Sequence, residues 1–205
     1  MSTQLTLRCP PSMAPHVRRV LDGEYNLGYE HPSPVVIDLG ANVGSFALWA
    51  ANRWPASRIH CYEPLPESFQ MLRENTAALG NRVSIYNFAI GDPRHDKLFP
   101  GANNCGEASF FPFGRRADQS VVIETRPPAD LPPAQIIKID TEGAEAEILS
   151  MMPSIQFDVV LLEYHSEENR RKVDELLRDY VLVGGDIRKV NCGVLKYVRR
   201  SLALA

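Results

Sequence analysis

Short apolar runs alternate with helix-forming segments along most of the sequence. The strand-like runs cover 34–40 (PVVIDLG), 57–63, 82–92, 135–140 and 157–165. The helix-forming segments cover 44–54, 66–79, 143–152 and 167–180. Continuously apolar strands joined by helices are typical of a parallel sheet covered on both faces. We therefore predict an α/β fold with a Rossmann-like, doubly wound and mostly parallel sheet.

Three further segments fill out this plan. Residues 180–190 and 193–200 are strand-like and meet at Asn191, which predicts a closing C-terminal antiparallel hairpin. The length of 205 residues suits one domain, 1–205, with residues 1–33 as an N-terminal cap. Residues 93–133 are rich in Pro, Gly and Asn and interrupt the alternation. We interpret them as an insertion with a short hairpin that forms a lid over the active site.

Charge and cysteine usage narrow the class of protein. The net charge is −3 and the pI about 6.0, so no basic field marks nucleic acid as a partner. The four cysteines contain no C-x-x-C pair. The sequence shows no secretory signal and no membrane-spanning apolar run, so we expect a cytoplasmic protein without a membrane partner. The oligomeric state is left open, with a homodimer among the options.

Four strand-like runs carry an acid at or near their carboxyl ends, namely Asp38, Glu63, Asp140 and Glu163. In a parallel sheet these ends meet at one edge, where ligands bind close to the reversal of strand order. The acids are therefore expected to line a ligand cleft.

The first strand leads into a turn with the spacing Gly40-x-Asn42-x-Gly44. This is not the Gly-x-Gly-x-x-Gly pattern that brings the backbone close to a pyrophosphate. Glu63, at the end of the second strand, can accept hydrogen bonds from both hydroxyls of an unphosphorylated ribose. A glycine-rich turn flanked by Asp38 and Glu63 therefore favours S-adenosylmethionine, whose sulfonium and amino group are cationic.

Successive motifs resemble the FkbM-type S-adenosylmethionine-dependent methyltransferases. They are VIDLGANVGSFALWAA, CYEPLPESFQMLRENTA, NFAIGD and IIKIDTEGAEAEIL, within residues 34–165. The resemblance implies a seven-stranded sheet with one antiparallel strand and methyl transfer to a hydroxyl of a sugar or natural product. It also implies cofactor contacts from Gly40, Asn42 and Gly44 (methionine end), Glu63 with Pro64 (ribose), and Asn87 with Ala89 (adenine). One element departs from the family, since only Asp130-Leu131 remains of a Thr-Leu-Asp-type element.

An alcohol is a poor nucleophile at neutral pH and needs a base or a metal. Asp140, Glu142 and His165 are the candidate catalytic residues, with His165 or Asp140 as base. Alternatively, Asp140 and Glu163 hold Mg²⁺, a hard cation that prefers oxygen ligands. Glu145 is expected to be structural or paired with Lys138.

The acceptor is expected to be a small molecule held under the insertion. Asn103, Asn104 and Ser109 of the insertion, together with Glu163, are the predicted substrate contacts. Two other functions fit the same scaffold: an N-methyltransferase, whose amine acceptor needs less activation, and a non-catalytic nucleotide-binding protein.

Overall fold

The computed structural model describes residues 7–100, 108–111 and 119–203. Its strands are β1 (Val35–Leu39), β2 (Arg58–Tyr62), β3 (Val83–Tyr86), β4 (Ala89–Ile90), β5 (Lys97–Leu98), β6 (Val121–Val122), β7 (Thr125–Arg126), β8 (Ile136–Ile139), β9 (Val159–Tyr164), β10 (Tyr180–Lys189) and β11 (Cys192–Arg199). Its α-helices are α1 (Ala14–Leu21), α2 (Ser45–Arg53), α3 (Pro66–Thr76), α4 (Glu145–Met151), α5 (Glu167–Leu176) and α6 (Arg200–Ala203).

A seven-stranded sheet in the order β10-β11-β9-β8-β1-β2-β3 forms the centre of the molecule. The five strands from β9 to β3 pair in parallel, whereas β11 is antiparallel to both of its neighbours. The predicted fold class and the closing hairpin are confirmed. Strand order reverses between β1 and β8. In open α/β sheets, ligands bind at the carboxyl ends of the strands near such a reversal.

Strand periodicity divides the core into two layers. Ile37 and Leu39 of β1 point into the layer that also holds residues of α4 and α5. Val36, one residue earlier, points into the opposite layer with residues of α2. Both faces of the sheet are apolar because helices cover both of them, as predicted from the apolar strand-like runs.

Local signals set the helix ends near the sheet edge. Ser166 caps α5, since its Oγ accepts from the Asn169 N–H at 3.0 Å. The first helix after the glycine-rich turn, α2, ends at Arg53, just ahead of Pro55. The α-helical part of the predicted segment 66–79 ends at Thr76 and continues as a 3-10 turn. No helix in the described ranges has the length and apolar character needed to cross a membrane.

The third predicted strand, 82–92, is wrong in its extent. Only β3 joins the main sheet, whereas β4 pairs in parallel with β7 in a separate small sheet. The break lies at Asn87, whose Nδ2 donates to the Glu63 and Pro64 carbonyls at 2.9 and 3.1 Å. The run 120–126 is likewise divided, because β6 pairs antiparallel with β5.

Candidate active site

A buried lysine connects the ends of the two central strands. Lys138 Nζ lies 3.0 Å from Asp38 Oδ1 and 3.6 Å from Asp140 Oδ2. It also donates to the Gly40 carbonyl at 2.8 Å. Burial favours the neutral amine, but the two carboxylates outweigh it and hold the pKa of Lys138 above its usual value. The lysine is therefore a fixed positive charge at the point where strand order reverses.

Asp38 and Asp140 differ in their exposure around this lysine. Asp38 is fully buried, and burial raises the pKa of its carboxyl despite the opposing charge of Lys138. Its side chain pairs with Lys138. Direct contact between Asp38 and a cofactor stays a prediction. The Asp140 side chain is 14% exposed. Burial would raise the pKa of Asp140, but Lys138 and His165 together lower it, so this carboxylate is ionised at the strand edge.

Gly40 allows the two strand ends to approach each other. Its φ is +73°, and a Cβ at this position would lie 1.9 Å from the carbonyl oxygen of Asp140. A side chain there would force the ends of β1 and β8 apart.

Gly40→Ala is expected to destabilise the fold by more than the roughly 1–2 kcal/mol that a positive φ alone costs an L-residue. Gly80→Ala is the control for a positive φ without a steric contact, since Gly80 (φ +57°, ψ −133°) has nothing within 4 Å of a Cβ added there. Urea unfolding of both variants checks this. Equal losses of free energy of unfolding would show that the close approach at Asp140 is unimportant.

Glu63 fixes the glycine-rich turn against the end of β2. Its carboxylate accepts from the Asn42 N–H at 2.8 Å and from the Leu65 N–H at 2.9 Å. Asn42 adopts a left-handed conformation (φ 50°), and its Oδ1 is buried without a hydrogen-bond partner. Burial raises the pKa of Glu63 to about 7, in spite of the two backbone hydrogen bonds. Two of the roughly four lone-pair positions of this carboxylate are thus in use.

The remaining predicted cofactor residues lie around this turn. Gly44 has φ +89° at the N-terminus of α2, and a Cβ there would lie 3.0 Å from Leu72. The Asn87 side-chain NH₂ donates to the backbone carbonyls of Glu63 and Pro64, so it is already engaged within the protein. Ala89 is buried in β4.

His165 follows β9 and is surrounded by carboxylates. Its Nδ1 lies 3.1 Å from Glu145 Oε1. Its Nε2 lies 3.5 Å from Glu142, 3.9 Å from Glu163 and 4.0 Å from Asp140. Burial opposes the charged ring, but the carboxylates dominate and raise the pKa of His165 well above its ordinary value. The protonated imidazolium is therefore the favoured form.

Glu145 is structural, and its alternative pairing with Lys138 is wrong. It is fully buried, and its Oε1 accepts from the backbone N–H groups of Thr141 and Gly143, both at 3.0 Å. These bonds shape the turn that presents Glu142 with a left-handed φ of 56°. The Ser109 hydroxyl donates to the Glu142 carbonyl at 2.7 Å. Ser109 therefore also supports this turn, while Asn103 and Asn104 lie outside the described residues.

Two side chains of the C-terminal hairpin contact the carboxylate of Glu163. Arg188 Nη2 lies 2.7 Å from its Oε2, and the Cys192 thiol donates to its Oε1 at 3.1 Å. Sequence reasoning missed Arg188, because no local pattern distinguishes it from the neighbouring exposed charges of β10.

The predicted metal pair is not brought together. Within the described ranges, Asp140 groups with Glu142 and His165 at ligand-like distances, whereas Glu163 groups with His165 and Cys192. Arg188 already neutralises Glu163, and a protonated His165 must lose its proton before it can bind a metal. The Asp140–Glu142–His165 set has the two oxygens and one imidazole that fit a divalent ion, so Mg²⁺ there stays a prediction.

A cleft of about 1080 Å³ opens beside His165, between the insertion and the helices α4 and α5. Its lining includes Phe111, Glu142, Asn169 and Lys172. Glu142 and His165 belong to the Asp140–Glu142–His165 set and also line this cleft.

Comparison with solved structures supports the fold. Fibrillarin from Aeropyrum pernix, solved with natively bound S-adenosyl-L-methionine, superposes with a TM-score of 0.53. The two chains are 14% identical, and the match covers 90% of this chain and 74% of fibrillarin. At this identity the likeness shows a shared fold.

Two relatives are similar in sequence. The 2-O-methyltransferase NoeI of Sinorhizobium fredii is 28% identical over 142 residues, which cover 59% of this chain and 58% of NoeI. The hexuronic acid methyltransferase AglP of Haloferax volcanii is 25% identical over 169 residues, covering 77% of this chain and 66% of AglP. The chain thus spans less than two thirds of the length of either relative.

The sequence model of the methyltransferase FkbM domain matches residues 38–185. The match contains the glycine-rich turn, Glu63, His165 and the four carboxylates around His165. It covers well over half of the 205 residues, so this chain belongs to the FkbM methyltransferase domain family.

Proposed function

We propose that this protein is an S-adenosylmethionine-dependent O-methyltransferase acting on a hydroxyl of a sugar or natural-product small molecule. The observation that carries the proposal is Asp140, an ionised carboxylate held by Lys138 beside the glycine-rich turn. The turn and Glu63 supply a cofactor site, and Asp140 supplies a base for an acceptor hydroxyl. The names of NoeI and AglP, an O-methyltransferase and a sugar-acid methyltransferase, agree with this acceptor class.

The residues of the turn fit the cofactor on two counts. Glu63 retains free lone pairs for ribose hydroxyls. The Asn42 Oδ1, buried without a partner, can accept from an ammonium group. When bound, S-adenosylmethionine supplies an electrophilic methyl group on a cationic sulfur.

The chain's own residues then position the acceptor and remove its proton. In-line transfer mainly requires that the nucleophile be held against the methyl group away from water. Asp140 accepts the hydroxyl proton, while Lys138 compensates the charge of the carboxylate before the proton arrives. His165 is a poor base here, since its surroundings favour the imidazolium, which has no free lone pair. We propose instead that His165 holds Glu142 and Asp140 in place.

The alternative N-methyltransferase is less well supported. An amine acceptor needs little activation and would not require the ionised, lysine-held Asp140 at the strand edge. Turnover with an alcohol but not with its amine analogue distinguishes the two reactions.

Calorimetric titration of S-adenosylmethionine and S-adenosylhomocysteine, with and without Mg²⁺, tests the cofactor directly. Micromolar binding of both is expected. Absence of binding would remove the proposed function, and an Mg²⁺-dependent affinity would assign a metal to the Asp140–Glu142–His165 set.

Glu63→Gln is expected to weaken S-adenosylhomocysteine binding by roughly 1.5–3 kcal/mol, the value of a charge-assisted hydrogen bond. Because burial raises the pKa of Glu63 to about 7, the carboxylate forms as the pH rises through this value. Wild-type affinity should therefore increase between about pH 6 and pH 8, and this increase should be absent from the variant. Glu67→Gln, at an exposed position of α3, is the control. Identical pH profiles for wild type and Glu63→Gln would exclude Glu63 from the cofactor site.

A further inference from the structure

Three side chains of different chemistry meet where the end of β9 lies against the C-terminal hairpin. Glu163 belongs to β9, His165 follows the end of that strand, and Cys192 begins β11. One ligand atom from each of them lies within 4.8 Å of the other two, and the thiol of Cys192 is free. We call these residues the sulfur-containing set. Carboxylate, imidazole and thiolate are the three side-chain groups that bind zinc in proteins.

The spacing of the ligand atoms suits a single ion between them. Zinc bonds of about 2.0–2.3 Å at tetrahedral angles place neighbouring ligand atoms about 3.3–3.6 Å apart. In the structure, Cys192 Sγ lies 3.1 Å from Glu163 Oε1, and His165 Nε2 lies 3.9 Å from the same oxygen. These two separations lie on either side of the values for zinc, so small side-chain shifts bring the three atoms to coordination distance.

Two of the ligands are already oriented by partners outside the set. His165 Nδ1 lies 3.1 Å from Glu145 Oε1, which leaves Nε2 for an ion. Arg188 Nη2 lies 2.7 Å from Glu163 Oε2, which leaves Oε1. A histidine that binds a metal almost always donates its other ring N–H to a carboxylate, carbonyl or water, and ligating carboxylates are also held by hydrogen bonds. The outer contacts of a metal site are therefore present here.

A divalent ion would leave the net charge of this region unchanged. The Cys192 thiol carries the proton that it donates to Glu163, and the imidazolium is the favoured form of His165. Zinc binds the thiolate and the neutral imidazole, so it displaces both protons. Two positive charges thus leave and two enter, and the ion pair between Arg188 and Glu163 can persist.

The sulfur-containing set can be reached from solvent. His165 lines the cleft between the insertion and the helices α4 and α5, and its side chain is 17% exposed. Cys192 is partly exposed, whereas Glu163 is buried. An ion can therefore approach through the cleft on the side of the imidazole, without any separation of the main sheet from its helices.

We propose that Glu163, His165 and Cys192 bind a zinc-class divalent cation through Oε1, Nε2 and Sγ. The thiolate and the imidazole favour Zn²⁺ over Mg²⁺, which prefers oxygen ligands. Three protein ligands leave the fourth position open, as in catalytic zinc sites. This site differs from the Asp140–Glu142–His165 set by its sulfur ligand, and an ion in one set excludes an ion from the other because both need His165. The inference goes beyond the proposed function and does not depend on it.

Metal titration of the reduced, chelator-treated protein without cofactor tests the proposal. Wild type should take up one Zn²⁺ in competition with a chromophoric chelator, and Co²⁺ as a spectroscopic probe should give a thiolate-to-metal charge-transfer band. Cys192→Ser keeps a hydroxyl that can donate to Glu163 but removes the thiolate. It should abolish the band and weaken Zn²⁺ binding at least about 100-fold, since loss of an outer partner alone costs about 10–100-fold.

Cys9→Ser is the matched control, since Cys9 is also a free and partly exposed cysteine. It should retain both the charge-transfer band and the Zn²⁺ affinity of wild type. Three outcomes would overturn the proposal: no saturable Zn²⁺ binding by wild type, a Co²⁺ complex without the band, or equal Zn²⁺ affinities of wild type and Cys192→Ser. Binding of S-adenosylhomocysteine is measured separately on the same preparations, and its absence counts against the proposed function alone.

Discussion

Asp140→Asn is expected to lower kcat by about 10²–10⁴-fold, the usual contribution of a general base, while sparing affinity for S-adenosylhomocysteine. The amide keeps the size of the side chain but cannot accept a proton. Lys138 would remain paired with Asp38, 3.0 Å away, so the fold should persist. Single-turnover methyl transfer and calorimetry on the same preparation measure the two effects.

Two controls make this result specific. Asp130→Asn removes an acid from an exposed position of the insertion and should leave turnover unchanged. Glu142→Gln tests whether the second carboxylate near His165 contributes. If Asp140→Asn loses cofactor affinity in parallel with kcat, Asp140 belongs to the cofactor site and the proposed base is wrong.

Lys138→Met should cost about 3–5 kcal/mol of free energy of unfolding. Its removal leaves the Asp38 carboxylate without its positive partner and Asp140 with only the more distant His165. An unpaired buried charge is far more costly than a lost surface pair. The methionine side chain approximates the volume of the lysine stem, so the loss reports the charge and not a cavity. Chemical denaturation monitored by circular dichroism measures it.

Lys172→Met provides the comparison for this variant. Lys172 pairs with Glu168 on the surface of α5, where the two side chains are 60% and 79% exposed. Such pairs contribute at most about 1 kcal/mol. Similar losses in the two variants would mean that Lys138 stabilises the site no more than an ordinary surface charge. A double variant, Lys138→Met with Asp38→Asn, should recover part of the loss.

The fold was predictable because its signals are local and repeated. The central strands β1, β8 and β9 are largely apolar, and each is followed by a turn that precedes a helix. The error at 82–92 arose where an apolar run continues through Asn87, although the Asn87 amide binds the neighbouring turn and ends β3. Periodicity alone cannot show that a polar residue within such a run has partners elsewhere in the fold.

The candidate site was predictable only in part. The strand-end acids could be recognised, since parallel topology places such residues at one edge. Their charge states could not, because these depend on partners distant in sequence. The imidazolium form of His165 reflects four carboxylates, two from strand ends, one from the turn after β8 and one from the start of α4. Arg188 lies in a segment that looked like a closing hairpin, and only the folded structure shows it beside Glu163.

The central position of β1 has a consequence for how the protein reaches its active form. β1 pairs with β2, which follows soon in the chain, and also with β8, whose Ile136 is the partner of Val36 about one hundred residues away. Pairing of β1 with β8 closes a long loop, and the chain loses entropy before any contact between the two strands compensates it. Contacts between residues far apart in the sequence therefore slow folding. Lys138 and Asp140 reach Gly40 only through that pairing. During refolding, the proposed methyltransferase activity should therefore return with the slowest step, after most helical structure has already formed.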